Sequence, residues 1–289
     1  MKKPDLSIGI SFKNPGPFFG LALKSVFAQT FGNWELILID DGSTDGSLEF
    51  ANSLRDSRVR VYGDGQSRSL NVRLNELVRL AAGNFFVRMD ADDAMHPERL
   101  QRQVEVLETN GRSTVVGSAA YSIDRESKVI GFRPAAQRQK LGFAARRSFH
   151  HPTVAAPVSW FRQNPYCERP VYQRAEDAEL WCRTTHHTRF ISLKEPLLFY
   201  REMGASSFGN YLGSEFGILH LLWERHRQPF VSYAWRSSRE FAKVWFAFLC
   251  EGLGKSQWLD QRRYQKLPPS SMETANAALD IVKQQELPV

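Results

Sequence analysis

Acidic side chains cluster at three places in the sequence, and two of these clusters follow short apolar segments. The clusters are Asp40-Asp41, Asp90-Ala91-Asp92-Asp93 and Glu176-Asp177. The carboxylates of the second cluster lie so close in sequence that they repel one another unless a cation neutralises them. Mg²⁺ and Mn²⁺ prefer oxygen ligands and often share their coordination with substrate phosphates. The second cluster therefore predicts a divalent-cation site that also holds a diphosphate.

The other two clusters have structural interpretations as well. The segment D-G-S-T-D that starts at Asp41 is favourable turn chemistry, so Asp40 and Asp41 can serve only to cap a turn. Glu176 and Asp177 can occupy the first turn of a helix, where the helix dipole favours negative charge. The residues alone leave both interpretations open at these two clusters.

The elements that must position these acids alternate between strands and helices. Apolar or alternating patterns predict strands at LSIGISF, WELILID, RVRVYG, FFVRMD and TVVGSAAYSI. Helical periodicity predicts helices at LALKSVFAQ, from Leu70 towards Gly83, and from His96-Pro97-Glu98 to Gly111. This order predicts an α/β fold with a mainly parallel sheet and helices on both faces. Ligands of such sheets bind at the carboxyl ends of the strands, where the first two acid clusters lie.

The sequence changes in character after residue 205. We predict a catalytic domain over residues 1–205 and a C-terminal helical extension over residues 206–289. Aromatic residues interleave with arginines in the extension: Trp223, Phe230, Trp235, Phe241, Trp245 and Phe248. After Pro268-Pro269 the segment ETANAALDIVKQQ predicts a last helix. The aromatic residues either pack in a helical core or form a surface that rests on a membrane or holds a lipid-linked acceptor.

Composition narrows the possible partners and compartments. The net charge of +7 is compatible with nucleic acid, anionic lipid or a phosphorylated ligand, or only with solubility. No nucleic-acid-binding signature is visible, so nucleic acid is not an expected partner. The three cysteines have no C-x-x-C spacing, which argues against a zinc site or a disulfide framework. Neither a signal peptide nor a membrane-spanning run is present, so we expect a cytoplasmic protein, with the inner face of the membrane as the alternative location.

Four ordered motifs make the chain resemble a known family. SFKNPGPFFGLALKSVFAQTFGNWELILIDDGSTDGS and SLNVRLNELVRLAAGNFFVRMDADDAMHPERLQRQVEVLE resemble the opening and central parts of the inverting family 2 glycosyltransferases, including their D-x-D motif. RAEDAELWCRTT is similar to the E-D segment of that family, and EPLLFYR to its closing strand. The resemblance implies the Rossmann-like GT-A fold over roughly residues 5–205. It also implies sugar transfer from a nucleotide-diphosphate sugar, most commonly a UDP sugar, with Mn²⁺ or Mg²⁺ as cofactor.

The same resemblance implies roles on the metal and acceptor sides. Asp177 is the expected general base, and Glu176 is expected to orient the acceptor or to raise the basicity of Asp177. Asp92 is the expected metal ligand. Asp90 is expected near the ribose or the metal, and Asp93 near the donor sugar.

On the nucleotide side, Asp41 is expected to accept a hydrogen bond from the base, and Phe12 to stack on that base. Arg68 lies where the family places nucleotide contacts, although it can equally be a solvated arginine. Arg73 is expected on the exposed face of its helix. His150-His151 can contact substrate, but we favour a structural role.

The sequence departs from the family pattern at several positions. Ser11 replaces a proline at the end of the first strand, and the loop at residues 14–17 is unusual, so the base-binding edge can differ. Met203 stands where many members carry a histidine near the metal or diphosphate. The Q-x-x-R-W motif of processive members is missing after Asp177, which predicts transfer of one sugar per encounter, as in non-processive bacterial members.

The leading hypothesis is a metal-dependent inverting glycosyltransferase that acts on a glycan or lipid-linked sugar acceptor in cell-surface polysaccharide or glycan assembly. The alternative is a non-catalytic module with a decayed site that binds a nucleotide or an anionic surface. A phosphate-accepting receiver domain would use Asp40-Asp41 as its acid pair, but it leaves the second cluster and most of the chain unexplained.

Overall fold

The protein, represented by a computed structural model, is described over residues 3–135, 149–202, 208–225 and 264–289, with the isolated positions Ser238, Ala242, Trp245 and Phe248. Within these ranges the strands are β1 (Leu6–Phe12), β2 (Trp34–Asp40), β3 (Val59–Gly63), β4 (Phe85–Arg88), β5 (Ala94–Met95), β6 (Thr114–Ile123), β7 (Val129–Arg133), β8 (Ala155–Pro157) and β9 (Arg189–Arg201). The helices are α1 (Phe19–Phe27), α2 (Ser47–Ser53), α3 (Leu70–Leu80), α4 (Arg99–Asn110), α5 (Val158–Gln163), α6 (Glu176–Thr184), α7 (Phe208–Arg225) and α8 (Pro269–Gln284).

The strands form one sheet in the order β3-β2-β1-β4-β8-β6-β9-β5, with β7 paired to β6. The pairs β1–β2, β1–β4, β2–β3 and β6–β9 are parallel. The short strands β5, β7 and β8 pair antiparallel with their neighbours. The prediction of an α/β fold with a mainly parallel sheet is confirmed.

Helices cover both faces of the sheet, because alternate residues of each strand point to opposite sides. Leu6, Ile8, Leu36 and Leu38 belong to a core cluster that also contains residues of α1, α2 and α4. Ile37, Ile39 and Phe86 belong to a second cluster with residues of α3, α5 and α6. The parallel strands therefore end at one edge, with their carboxyl-terminal residues between the two helical layers.

The predicted element bounds agree with the structure to within a few residues. LSIGISF, WELILID and TVVGSAAYSI are β1, β2 and β6, and α4 ends before Gly111, whose φ is +82°. The helix predicted to open at His96-Pro97-Glu98 begins only at Arg99. A turn precedes it, since the Arg99 N–H donates to the His96 carbonyl at 2.9 Å.

The C-terminal segments contact the sheet domain at two separate places. Helix α7 packs against α6 and the short helix Pro170–Tyr172, and α8 packs against α1 and β7. The last predicted helix is confirmed by α8. Gln265 exchanges backbone hydrogen bonds with Phe132 of β7. The boundary at residue 205 stays a prediction.

Only some of the aromatic residues of the extension lie within the described residues. Phe216 and Trp223 lie seven residues apart on α7 and are 59% and 67% exposed. Trp245 and Phe248 are also exposed. The predicted roles of Phe230, Trp235 and Phe241 lie outside the described residues. Every helix within the described ranges is too short or too polar to cross a lipid bilayer.

Candidate active site

The acid pair after β2 closes a tight turn. The Asp40 carboxylate accepts hydrogen bonds from the backbone N–H groups of Gly42 and Ser43, at 3.1 and 3.0 Å. Gly42 has φ +78°, a left-handed conformation that glycine adopts without steric cost. The structure thus supports the turn interpretation for Asp40.

Asp41 connects this turn to the loop before α3. Its carboxylate accepts hydrogen bonds from the Arg68 backbone N–H at 2.7 Å, from the Ser67 hydroxyl at 3.2 Å and from Arg73 Nε at 2.8 Å. Several of its acceptor sites are therefore already used within the protein. The predicted contact of Asp41 with a nucleotide base stays a prediction.

The prediction that Arg73 lies on an exposed helix face is wrong. Its side chain is only 3% exposed and pairs with Asp41, Asp64 and Glu76, each at 2.8 Å. Arg73 lies three residues after Leu70 and four before Leu77, so it borders the inner stripe of α3. Three carboxylates offset the cost of removing its guanidinium from water.

The two remaining nucleotide-side candidates lie in different surroundings. Arg68 is 40% exposed and forms ion pairs with Asp64 and Glu76 at 2.9 Å, so its side chain is at the surface. Phe12 is only 2% exposed, and its ring packs 4.7 Å from that of Phe19. The ring of Phe12 lies in the core of the structure, and the expected stacking of Phe12 on a base stays a prediction.

The second acid cluster follows β4 and brings three carboxylates together. Carboxylate oxygens of Asp90, Asp92 and Asp93 all lie within 4.8 Å of one another. Arg88 Nη2 donates to Asp90 Oδ1 at 2.5 Å, and the Arg201 backbone N–H donates to Asp93 Oδ1 at 2.8 Å. Asp93 Oδ2 is buried without a hydrogen-bond partner among the described residues. The cluster is therefore only partly satisfied by the protein.

Electrostatics at this cluster favour an added positive charge. Burial, followed by repulsion from Asp90, raises the pKa of Asp92 to about 6. Burial, Asp92 and Asp90 together raise the pKa of Asp93 well above its ordinary value. Both shifts mean that the fully ionised cluster is unfavourable by itself. A divalent cation bound among these oxygens would remove that penalty.

The third acid pair opens α6 as predicted. Burial raises the pKa of Glu176 to about 7, and burial also raises the pKa of Asp177. His151 Nδ1 lies 3.6 Å from Glu176 Oε1, and its Nε2 lies 2.9 Å from the Tyr166 hydroxyl. Burial, with the nearby Arg88, lowers the pKa of His151 to about 3, so its ring is neutral at pH 7. A neutral ring beside Glu176 provides a polar contact and no compensating charge.

One cleft joins the second and third acid clusters. Its volume is about 430 Å³, and its lining includes Arg88, Asp90, His151, Glu176 and Asp177. Asp92 and Asp93 are not among the lining residues. Asp93 is buried, and its Oδ1 accepts a hydrogen bond from the Arg201 backbone N–H at the end of β9. The expected contact of Asp93 with the donor sugar stays a prediction. Asp41, Arg68 and Phe12 are also outside the lining.

Sequence reasoning missed two buried arginines at this site. Arg88 precedes the second cluster by two residues, and Arg201 closes β9 with its Nε donating to the Asp92 carbonyl at 2.8 Å. Arg88 stands on an otherwise apolar strand directly before three acids, which was a usable signal. Arg201 could not be placed from sequence, because its contact with Asp92 spans more than a hundred residues. The Met203 position lies outside the described residues.

The family model for glycosyl transferase family 2 matches residues 7–165, more than half of the chain. The chain belongs to this family. The chain is 31% identical over 205 residues to EpsE of Bacillus subtilis (strain 168), which is provisionally named a glycosyltransferase; the match covers 69% of this chain and 73% of EpsE.

Two solved structures share the fold of this chain. S. aureus TarS 1–349, crystallised in complex with UDP-GlcNAc, matches with a TM-score of 0.59 at 15% identity, over 84% of this chain and 73% of TarS. The mannosyltransferase PcManGT from Pyrobaculum calidifontis, in complex with GDP-Man and Mn²⁺, matches with a TM-score of 0.56 at 15% identity, over 97% and 81% of the two chains. The predicted GT-A fold is confirmed.

Proposed function

We propose that this glycosyltransferase moves one glycosyl unit from a nucleotide-diphosphate sugar to a hydroxyl acceptor, with inversion at the anomeric carbon. The single observation that carries the proposal is one cleft that is lined by Asp90, which lies beside two further carboxylates, and also by Glu176 and Asp177. Inverting transfer needs a site for the leaving diphosphate and, opposite it, a base for the acceptor. The two acid groups that contribute to this cleft are proposed to supply these two requirements.

The Asp90, Asp92 and Asp93 carboxylates fit a divalent cation, with Asp92 as the principal ligand. Their oxygens are close enough to share one ion, and the raised pKa of Asp92 to about 6 reflects a charge that lacks compensation. Oxygen-only ligands favour Mn²⁺ or Mg²⁺. Such an ion would neutralise part of the charge on the departing diphosphate.

Asp177 is the proposed general base. As the acceptor oxygen forms its bond to the anomeric carbon, the Asp177 carboxylate takes the hydroxyl proton, and the bond to the diphosphate oxygen breaks with its electron pair. A base works best when its pKa approaches the working pH, and burial shifts the pKa of Asp177 in that direction. Glu176 beside it is proposed to orient the acceptor.

His151 is a poor candidate for the base despite its position. Its pKa of about 3 makes the neutral ring a weak proton acceptor, and its Nε2 is already engaged with Tyr166. The structural role favoured for His151 is consistent with this bond. In the proposed reaction His151 therefore positions Glu176 and does not take the proton.

The donor is proposed to be a UDP sugar, with a GDP sugar as the other candidate. TarS and PcManGT are described in complex with UDP-GlcNAc and with GDP-Man and Mn²⁺, respectively, which supports a nucleotide-sugar donor for a chain of the same fold. On the nucleotide side, Asp41 and Arg68 are the proposed contacts.

The acceptor is proposed to be a glycan or a lipid-linked sugar, used in cell-surface polysaccharide or glycan assembly. Helix α7 supports this choice, because Ser214 and Ile218 line the cleft while Phe216 and Trp223 on the same helix are exposed. Exposed aromatic side chains favour the interface of a lipid bilayer. We therefore propose peripheral contact of α7 with the inner face of the membrane.

The test is a screen of nucleotide sugars with Mn²⁺ or Mg²⁺ by thermal unfolding, followed by a transfer assay on the stabilising donor. A ligand that binds only the folded state raises the melting temperature by mass action. We expect Asp177→Asn to keep donor binding while its turnover falls roughly 10²- to 10⁴-fold, the range for loss of a general base. Glu105→Gln, an exposed change on α4, serves as the control.

Two outcomes would contradict the proposal in different ways. Near-normal turnover of Asp177→Asn would remove the base assignment and leave the enzyme class intact. Donor binding by the wild-type protein without transfer to any glycan or lipid-linked acceptor would favour the alternative of a non-catalytic module.

A further inference from the structure

Arg88 is a buried cation with two unused hydrogen-bond donors. Its side chain is 3% exposed, and Nη2 is committed to Asp90 at 2.5 Å. Nε and Nη1 are buried and have no hydrogen-bond partner among the described residues. A buried charged donor without a partner is costly, by more than a neutral group would be. A ligand that accepts hydrogen bonds from Nε and Nη1 would remove this cost.

The cleft supplies the space for that ligand. Arg88 lines the cleft together with Asp90, Glu176 and Asp177. Its guanidinium is attached to one of these residues, since Nη2 donates to Asp90. The two unpartnered donors therefore belong to a side chain that borders the space shared by the second and third acid clusters.

The backbone around Arg88 is fixed on both sides. The Arg88 N–H donates to the Val154 carbonyl at 2.9 Å, and the Arg88 carbonyl accepts from Arg99 Nη2 at 2.8 Å. Arg99 is itself fully buried and donates from Nε to Gln103. These bonds fix the backbone of Arg88, and the bond from Nη2 to Asp90 fixes its guanidinium, which lowers the entropy cost of binding a ligand.

The chemistry of inverting transfer identifies which part of the substrates meets Arg88. The base and the leaving group act on opposite faces of the anomeric carbon, so the sugar in transfer lies between them. The diphosphate belongs to the Asp90 side and the acceptor hydroxyl to the Asp177 side, if the proposed function holds. Arg88 borders the cleft that both groups line, so the hydroxyl oxygens of the transferred sugar are the acceptors that its two free donors would meet there.

We propose that Arg88 binds the transferred sugar, with Nε and Nη1 donating hydrogen bonds to its hydroxyl oxygens. This inference rests on the proposed function and adds a sugar-binding residue to it. Arg88 then contributes to the choice of donor sugar, because a site built to donate to a hydroxyl discriminates strongly against a sugar that lacks it.

The test compares two ligands that differ only in the sugar. Affinities of Arg88→Lys, Arg88→Gln and wild type are measured by calorimetry with Mn²⁺ for UDP-GlcNAc against UDP and for GDP-mannose against GDP, and for any better donor found in the thermal screen. We expect the variants to bind the nucleotide sugar roughly 10- to 100-fold more weakly, the loss for one or two charged hydrogen bonds. Binding of the matching nucleoside diphosphate should change less than about threefold, since it lacks the sugar.

Arg99→Lys is the matched control, because Arg99 is equally buried beside the same strand and is not a cleft residue. It is expected to lower the melting temperature while leaving the ratio of the two affinities unchanged. Equal losses for the nucleotide sugar and the nucleoside diphosphate in the Arg88 variants would overturn the proposal, as would no loss.

A measurement on the wild-type protein covers the case in which the Arg88 variants do not fold. Donor analogues that lack one sugar hydroxyl at a time are compared with the parent donor. At least one position should cost about 10-fold or more in affinity; a flat profile would overturn the proposal. A wild-type protein that binds no nucleotide sugar contradicts the proposed function itself, whereas the outcomes above contradict only the assignment of Arg88.

Discussion

The carboxylates that follow β2 and those that follow β4 occupy neighbouring places at the same edge of the sheet, yet they are treated differently by the protein. After β2, Asp40 accepts backbone hydrogen bonds, and Asp41 accepts hydrogen bonds from Arg73 and from residues 67 and 68. After β4, Asp92 is half-buried and crowded against Asp93, which is buried, and one Asp93 oxygen has no partner in the described ranges.

The carboxylates after β2 therefore stabilise the fold, whereas those after β4 are suited to bind a ligand. A carboxylate that is fully hydrogen-bonded contributes to stability, and removing its partner leaves a buried charge. A carboxylate whose pKa is raised, as for Asp92, costs stability until something neutralises it. Substitutions at the carboxylates after β2 or at their partners should therefore lower stability. Substitutions at the carboxylates after β4 should lower activity without lowering stability.

The largest effect is expected for Asp92→Asn. Sugar transfer should fall at least about 100-fold, because removing a metal ligand or its charge typically has effects of this size. The melting temperature without metal should stay the same or rise, since the change relieves repulsion with Asp90. Transfer assays and thermal unfolding with and without Mn²⁺ check both parts.

Asp280→Asn, an exposed change on α8, is the matched control for Asp92→Asn and should behave as wild type. If Asp92→Asn instead melted several degrees lower and kept its response to Mn²⁺, the β4 cluster would be structural in the same sense as Asp41.

The next effect is the loss of stability expected for Arg73→Met. This change leaves Asp41 without its buried cation and also removes the pairs with Asp64 and Glu76. Breaking such a buried pair costs about 3–5 kcal/mol in the free energy of unfolding. Urea unfolding measures it, and a loss below about 1 kcal/mol would show that Arg73 does not anchor the β2 turn.

The sequence could predict the fold and the acid clusters because these depend on local patterns. The strands and the positions of Asp90, Asp92, Glu176 and Asp177 follow from apolar periodicity and short motifs. The burial of Phe12 could also be predicted, because Phe12 falls on the same strand face as Ile8 and Ile10.

The partners of the acids could not be predicted in the same way. Asp41 and Arg73 are separated by 32 positions, and Asp93 and Arg201 by 108. Such contacts are decided by how the loops close over the sheet edge, which no local pattern encodes. The sequence therefore revealed where charge accumulates, and the structure was needed to tell which charges are compensated.

A smaller effect is expected in the pH dependence of stability, and it comes from Glu176 in the third acid cluster. Burial raises the pKa of Glu176 from 4.5 to about 7. Repulsion from Asp90 raises this pKa further, and the positive charges of Arg88 and Arg174 lower it. The neighbouring His151 is neutral, and Asp177 is the adjacent acid. Between these pH values the folded protein binds a proton that the unfolded chain has lost, so stability falls as pH rises from about 4.5 to 7.

Glu176→Gln should flatten this part of the stability profile, by a few kcal/mol at most, because the amide does not titrate. Thermal or urea unfolding between pH 4.5 and 8 checks it. If the slope of stability against pH were unchanged in Glu176→Gln, Glu176 would already be ionised in the folded protein. Its charge would then be compensated within the protein, as are the charges of the carboxylates after β2.

The smallest effect on stability is expected for Arg68→Ala, and it sharpens the comparison within the β2 end itself. Arg68 shares Asp64 and Glu76 with Arg73 but is 40% exposed, so solvent screens its ion pairs. Its removal should cost less than about 1 kcal/mol in urea unfolding. If Arg68 contacts the nucleotide, affinity for the nucleoside diphosphate should fall roughly 3- to 10-fold, and more so at low salt. Unchanged affinity would identify Arg68 as a solvated arginine, and the donor contacts on this side would then come from Asp41 and the backbone of the turn.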